Sequence, residues 1–262
     1  MKYDLRTTLI IITLFFFSQI IGLAIVDKNF ETYGVETFQV SGEEPAQILV
    51  SLPVSIVTLT IIFIIFYKLG WKNIILLWYF LAFIITVFFS LSAFMADIYA
   101  IIVAVCLLII KYNSDDDYTH NLGELLVYGG LAVVFLPMLN VGATLLLLII
   151  VSLYDVFSVF YSKHMIILAK TQESLKIFSG LRVRVGNSIA LLGGGDIAFP
   201  LMFASVILRD LGTINSILAV YGATPGLLAL IFLSRKNKFY PAMPLISLGC
   251  FLGYGVGLFF LP

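Results

Sequence analysis

SIALLGGGDIAFPLMFASVIL, residues 188–208, is the stretch on which the reading of this chain turns. It holds one charged residue, Asp196, in a run that is otherwise apolar or small. A run of this length crosses the hydrocarbon core of a bilayer as a helix, so the acid lies where lipid surrounds the chain. Gly193, Gly194 and Gly195 precede it and weaken the turn ahead of it, letting another backbone approach closely. Pro200 follows four residues later and cannot donate the hydrogen bond that the Asp196 carbonyl receives in a regular helix. An acid so placed calls for a partner carboxyl, some water and room for a peptide.

The rest of the sequence makes lipid the main solvent. Hydrophobic residues are 61% of the 262 and charged ones only 11%, too little polar surface for a soluble domain of this length. Apolar stretches fall at about 7–26, 47–67, 73–91, 97–110, 122–138, 141–161, 188–208, 213–233 and 242–261. The expectation is an all-α polytopic membrane protein of nine transmembrane helices forming one integral membrane domain over residues 1–262. Segments such as IIFIIF and LLLLII are apolar on every side, which excludes the alternation of a membrane barrel. The amino-terminal stretch exceeds a signal-peptide core and lacks a small-residue cleavage site, so it reads as a retained first helix.

Drawing nine spans puts nearly all Lys and Arg residues on one side of the membrane and only Lys28 and Arg209 on the other. The positive-inside rule then places the amino terminus in the cytoplasm and the carboxyl terminus outside, in what reads as a cell membrane. The formal net charge is zero, which leaves no nucleic-acid footprint. Cys106 and Cys250 fall inside spans, where a thiol acts as a small apolar group, and no metal or cofactor is expected. The chain has no HExxH zinc motif and no GxSxG nucleophile paired with a membrane histidine.

A second acid, Asp155, lies in LLLLIIVSLYDVFSVFYSKHM, residues 145–165. It precedes Lys163 by about 12 Å of helix, while Asp196 follows Asn187 by about 14 Å, both at 1.5 Å per residue. The sixth stretch descends toward the cytoplasm and the seventh climbs from it, so both carboxyls lie at similar depth on consecutive antiparallel helices. Two neighbouring carboxyl groups in a poorly solvated site share a proton and titrate with two macroscopic constants. The ionised member accepts a proton from water and the protonated member donates to a peptide carbonyl oxygen, which is aspartic-protease chemistry.

Three local motifs resemble those of the presenilin and signal peptide peptidase family of GxGD intramembrane aspartyl proteases. They are YD at Tyr154 and Asp155, GxGD at Gly193 to Asp196, and PAM at Pro241, Ala242 and Met243, with Met243 where the family has Leu. Motif order and span count match over essentially the whole chain. The resemblance implies a presenilin-like bundle in which Asp155 and Asp196 form the catalytic pair. It also implies that Tyr154, Gly193, Gly195, Pro241, Ala242 and Met243 shape the site and contact substrate. Met is close to Leu in volume, so packing there should survive. The implied partners are transmembrane helical substrates and the bilayer. A cytoplasmic amino terminus resembles presenilin, and the small size resembles a microbial homologue acting without partner subunits, with homo-oligomerisation left open.

Read from the residues alone, PAMPL delays regular helix until about Leu245 and leaves backbone groups that an extended substrate strand can pair with. Gly249, Gly253 and Gly257 have the spacing of close helix packing. Gly222, Pro225 and Gly226 read as a kink. His164 reads as a headgroup residue and His120 as a loop residue, and Arg209 beside Asp210 as a boundary anchor. The rival function is an ion or proton channel or transporter that uses the paired carboxylates as a cation site. A prepilin-type peptidase shares GxGD but continues differently after the acid.

Overall fold

The computed structural model of the chain describes residues 5–39, 58, 62, 65, 66, 68–162, 177–185, 188–234 and 240–260. In chain order these form α1 (Leu5–Tyr33), α2 (Lys72–Leu91), α3 (Asp97–Asn113), α4 (Asp117–Phe135) and α5 (Val141–Phe157). A hairpin follows, of β1 (Gly180–Val185) and β2 (Ser188–Gly193), and then α6 (Gly194–Leu211), α7 (Thr213–Leu233) and α8 (Met243–Phe260). Short 3-10 turns cover Val35–Phe38 and Leu136–Met138, and a π turn, Ser158–Ser162, widens the end of α5.

Six helical segments among the described residues are long and apolar enough to cross a membrane, and the chain is an integral membrane protein. The expected count of nine spans is not established. Most of stretch 47–67 lies outside the described residues, and α3, at 17 residues, is short for a span. The seventh stretch departs most from expectation, because residues 188–193 are strand and helix begins only at Gly194. The bundle is therefore not purely helical. The unbroken helix assumed between Asn187 and Asp196 is replaced by an extended segment and a fresh helix start.

Capping explains where several helices begin. Asp116 accepts from the Thr119 N–H at 3.0 Å and opens α4, and Asn140 accepts from the Ala143 N–H at 2.7 Å and opens α5. Gly212, at φ 86°, makes the tight turn between α6 and α7 in a conformation that favours glycine. The carboxyl-terminal helix begins at Met243 rather than near Leu245. Pro244 sits in its first turn, where a missing N–H leaves no ladder bond unmade.

At the centre stands α6, which packs against α1, α4, α5, α7 and α8. From Ile197 to Leu208 it is buried at every position but Phe199. A helix apolar on all faces belongs in the middle of a bundle, and its sequence has that pattern. The glycines of α8 do what their spacing predicts. A side chain at Gly249 would run into the Gly222 carbonyl of α7, one at Gly253 into Leu218, and one at Gly226 into Leu245. These two helices meet backbone to backbone.

Candidate active site

Asp155 lies two residues before the end of α5, and its carboxyl is buried. Its Oδ2 accepts from the Met243 backbone N–H at 3.1 Å, and the Ala242 N–H also lies against the carboxyl. The PAM element is thus bound to the acid through its main chain. Those N–H groups stand at the start of α8, where no carbonyl of the preceding turn can take them. Ser152, one turn earlier on α5, donates to the Ser247 hydroxyl at 3.0 Å and ties the same two helices together. Ala242 and Met243 are buried and Pro241 is half-buried, so the Met243 side chain packs while its N–H contacts the acid.

Asp196 occupies the first turn of α6 and is half-buried. Gly193 is the residue before that helix, and its N–H lies against the Asp196 carboxyl. An acid at the third helical position reaching back to the residue before the helix is the acidic half of a capping box. Each acid therefore meets the N-terminal end of a helix, Asp196 that of α6 and Asp155 that of α8, where unpaired N–H groups favour an anion. The carboxyl groups are near enough for the Asp155 charge to act on Asp196. Helices α5 and α6 pack together and bring the two acids to the same end of the bundle.

The glycines before Asp196 differ in what surrounds them. A β-carbon at Gly193 would lie 3.1 Å from the Asp196 Oδ2. One at Gly194 would lie 3.2 Å from the Ser179 carbonyl oxygen, which the Gly194 N–H bonds at 3.2 Å. At Gly195, which is exposed, the nearest atom would be a Phe199 ring carbon at an ordinary 3.5 Å. Tyr154 is 43% exposed and turns outward from α5, so its side chain is not gathered with the acids.

Other polar residues brace the bundle, some of which sequence reasoning passed over or read differently. Gln19, wholly buried in α1, donates to the Ile197 carbonyl at 2.9 Å, next to Asp196. Its signal was an amide in the middle of the first apolar stretch. His120 is not in a loop: it is buried in α4, with Nε2 2.9 Å from the Gly180 carbonyl of β1. Lys111 and Glu124 form a buried ion pair between α3 and α4. Arg209 pairs with Asp210 at 2.6 Å, as an anchor should, and also donates to the Phe38 and Leu136 carbonyls. His164, the short connection before β1 and much of the basic sidedness, at 163–176 and 235–239, fall outside the described residues.

Helices of this order around a buried α6, with a hairpin leading into it, form a known architecture. The chain has the fold of the presenilin-family intramembrane aspartate proteases. Against one solved member, crystallised in space group C222, the TM-score is 0.72 at 22% identity, covering 96% of this chain and 98% of that one. Against another, in space group P2, it is 0.70 at 22% identity, covering 97% and 96%. No family model and no curated protein matches the sequence.

Proposed function

We propose that the chain is an intramembrane aspartic endopeptidase of the GxGD type that hydrolyses peptide bonds within transmembrane helices of other membrane proteins. What supports this reading is that Asp155 and Asp196 lie within reach of one another's charge, each carboxyl set against main-chain N–H groups at the start of a helix, in this fold. One carboxylate takes a proton from a water molecule held between the pair, and the water oxygen bonds to the substrate carbonyl carbon. The other carboxyl gives its proton to the carbonyl oxygen. Transfer of a proton to the amide nitrogen then breaks the C–N bond, leaving a new acid and a new amine.

A helical amide is shielded by its own ladder, so the substrate unwinds near the scission point and helix-breaking residues there favour cleavage. With the amino terminus cytoplasmic, water reaches the acids from the cytoplasmic face. A cation-transport site fits the geometry less well, because Asp155 is already engaged by a main-chain N–H donor that competes with a cation for its oxygen.

Purified Asp155→Asn and Asp196→Asn variants, each folded by thermal unfolding, should lose cleavage of a helical membrane substrate. Near wild-type turnover in either one ends the reading. The rate should be bell-shaped in pH, whereas a flat profile from about pH 4 to 9 counts against a coupled pair. A hydroxyl-bearing mimic of the tetrahedral diol should bind through both acids, as a transporter would not.

A further inference from the structure

The outer edge of β1 is covered by side chains of a helix. Strand β1 uses Leu181, Val183 and Val185 to face β2 in register with Leu192, Ala190 and Ser188. Main-chain groups of the alternate residues, Gly180, Arg182 and Arg184, point the other way, toward α4. The Glu124 Oε2 accepts from the Gly180 N–H at 3.1 Å. Asn121 accepts from the Arg182 N–H at 2.9 Å and donates to the Arg182 carbonyl at 2.8 Å. Asp117 accepts from the Arg184 N–H at 3.1 Å.

These three α4 residues are spaced four and three apart, so they share one helix face. That face spans about 10 Å at 1.5 Å per residue, against about 13 Å for four residues of strand. The difference is within the reach of the side chains. The helix runs opposite to the strand and presents one polar side chain to each edge-facing residue, as a neighbouring strand would.

This arrangement fixes register. Sliding β1 by one residue would turn its free N–H groups away from α4 and strand buried carboxyl and amide oxygens without donors. Glu124 is the most buried of the three, with its side chain 1% exposed, and it also accepts from Tyr128 at 3.0 Å and Ser179 at 3.2 Å. Lys111, 5% exposed, supplies the counter-charge. The Ser179 carbonyl holds the Gly194 N–H, so the position of β1 passes directly to the start of α6 and to Asp196.

We propose that the polar face of α4, Asp117, Asn121 and Glu124, is a positioning template that sets the hairpin register and thereby the place of the Asp196 carboxyl. Lys111 serves it by neutralising Glu124. The effect on catalysis rests on the protease reading above; the effect on β1 does not.

The test uses the full chain in liposomes with a single-span helical substrate, and separates the hydrogen-bond acceptor from the charge. Lys111→Met/Glu124→Leu replaces the ion pair by apolar groups, which often leaves stability intact. It also takes the acceptor from the Gly180 N–H and the Tyr128 hydroxyl, so it should unfold below the wild-type temperature. Assayed well below that temperature, it should lose kcat by about a hundredfold, the scale of an ångström-sized misplacement, with KM within about twofold. Lys111→Met/Glu124→Gln keeps an oxygen for the Gly180 N–H and should recover most of the kcat. Amide exchange at Gly180 and Arg182 should quicken in the Leu pair and slow again in the Gln pair.

Wild-type kcat in the Leu pair, or equal loss in both pairs, overturns the template. If the Leu pair does not fold, Asn121→Ala decides: it removes both bonds to Arg182, and should lower kcat without raising KM, whereas wild-type kcat refutes the proposal. If the wild type itself cleaves nothing, the protease reading has failed and exchange alone judges the template. Unchanged protection at Arg182 in Asn121→Ala then overturns it.

Discussion

Replacing Gly193 by Ala tests the geometry of Asp196 with a single methyl group. The Gly193 backbone, at φ −63° and ψ 143°, lies in a region open to any residue, so alanine brings no conformational strain. Its β-carbon would stand 3.1 Å from the Asp196 Oδ2 and 3.7 Å from its Cγ. A comfortable carbon–oxygen contact begins near about 3.4 Å, so the carboxyl must retreat by roughly 0.3 to 0.5 Å. If a 1 Å misplacement costs about a hundredfold, this retreat costs about four- to tenfold in kcat. Stability should fall by only about 1 kcal/mol, because Ala replaces Gly just before a helix. Gly255→Ala is the control, within α8 and away from the acids, where the new carbon meets nothing within 4 Å. It leaves the carboxyl where it is and adds helix propensity of about 0.5–1 kcal/mol. The assay is turnover of a helical membrane substrate by purified protein, with thermal unfolding alongside. Wild-type kcat in Gly193→Ala would refute the reasoning, as would an unfolding loss large enough to account for the whole effect.

Other outcomes follow from the same contacts. Met243→Pro removes the N–H that Asp155 accepts and should lower kcat about ten- to hundredfold, the worth of a charge-assisted bond. Met243→Leu keeps that N–H and the volume, and should cost under about 1.5 kcal/mol in thermal unfolding. Gly249→Ala pushes α7 and α8 apart at the Gly222 carbonyl and should destabilise by about 1–3 kcal/mol. Gly255→Ala, with nothing within 4 Å, should not. At the outer end of β1, Arg184 and Arg182 hold the Asp115 carboxyl below its ordinary 3.8. A lowered folded-state value means that the ion pairs contribute fully above pH 3.8 and are lost as the pH falls through the folded value. The Asp115 carboxyl carbon, followed by NMR, should therefore titrate with a midpoint below 3.8 in the folded protein, and a midpoint at or above 3.8 would refute the pairing.

Apolar length and the cost of burying a charge made much of this molecule legible in its sequence. Those two quantities gave the membrane bundle and the expectation that Asp155 pairs with Asp196, and glycine spacing gave the close packing of α8, though not its partner α7. They could not give the hairpin. SIALLG is apolar without a helix period, and only the partner strand GLRVRV, with alternating Arg and Val, carried a strand signal. Once the run was read as continuous helix, Asp196 was placed in mid-span, where only softened turns could accommodate it. The actual solution is a fresh helix start, which supplies donors without any break in a ladder. Glu124 and Lys111 escaped for a related reason. The donors that Glu124 meets, Ser179 and Gly180, lie 55 and 56 residues away in the chain, a separation that no local spacing rule links.

The same physics accounts for both kinds of residue. A carboxylate inside a bundle needs donors or a counter-charge, and the described chain offers leftover main-chain N–H groups at helix starts and at a strand edge. Asp196 and Asp155 take the starts of α6 and α8, whereas Glu124 and Asp117 take the edge of β1. What separates the two sets is saturation. Glu124 is met by Lys111, Tyr128, Ser179 and Gly180 at once, which leaves its carboxylate no capacity for a reacting proton. Asp196 is half-buried, within reach of the Asp155 charge, and holds the Gly193 N–H. Buried acids in such a bundle should therefore be sorted by the donors they already hold: Glu124, met from every side, has a structural place, whereas Asp155 and Asp196, met only by main-chain N–H groups, are the pair on which the proposed chemistry rests.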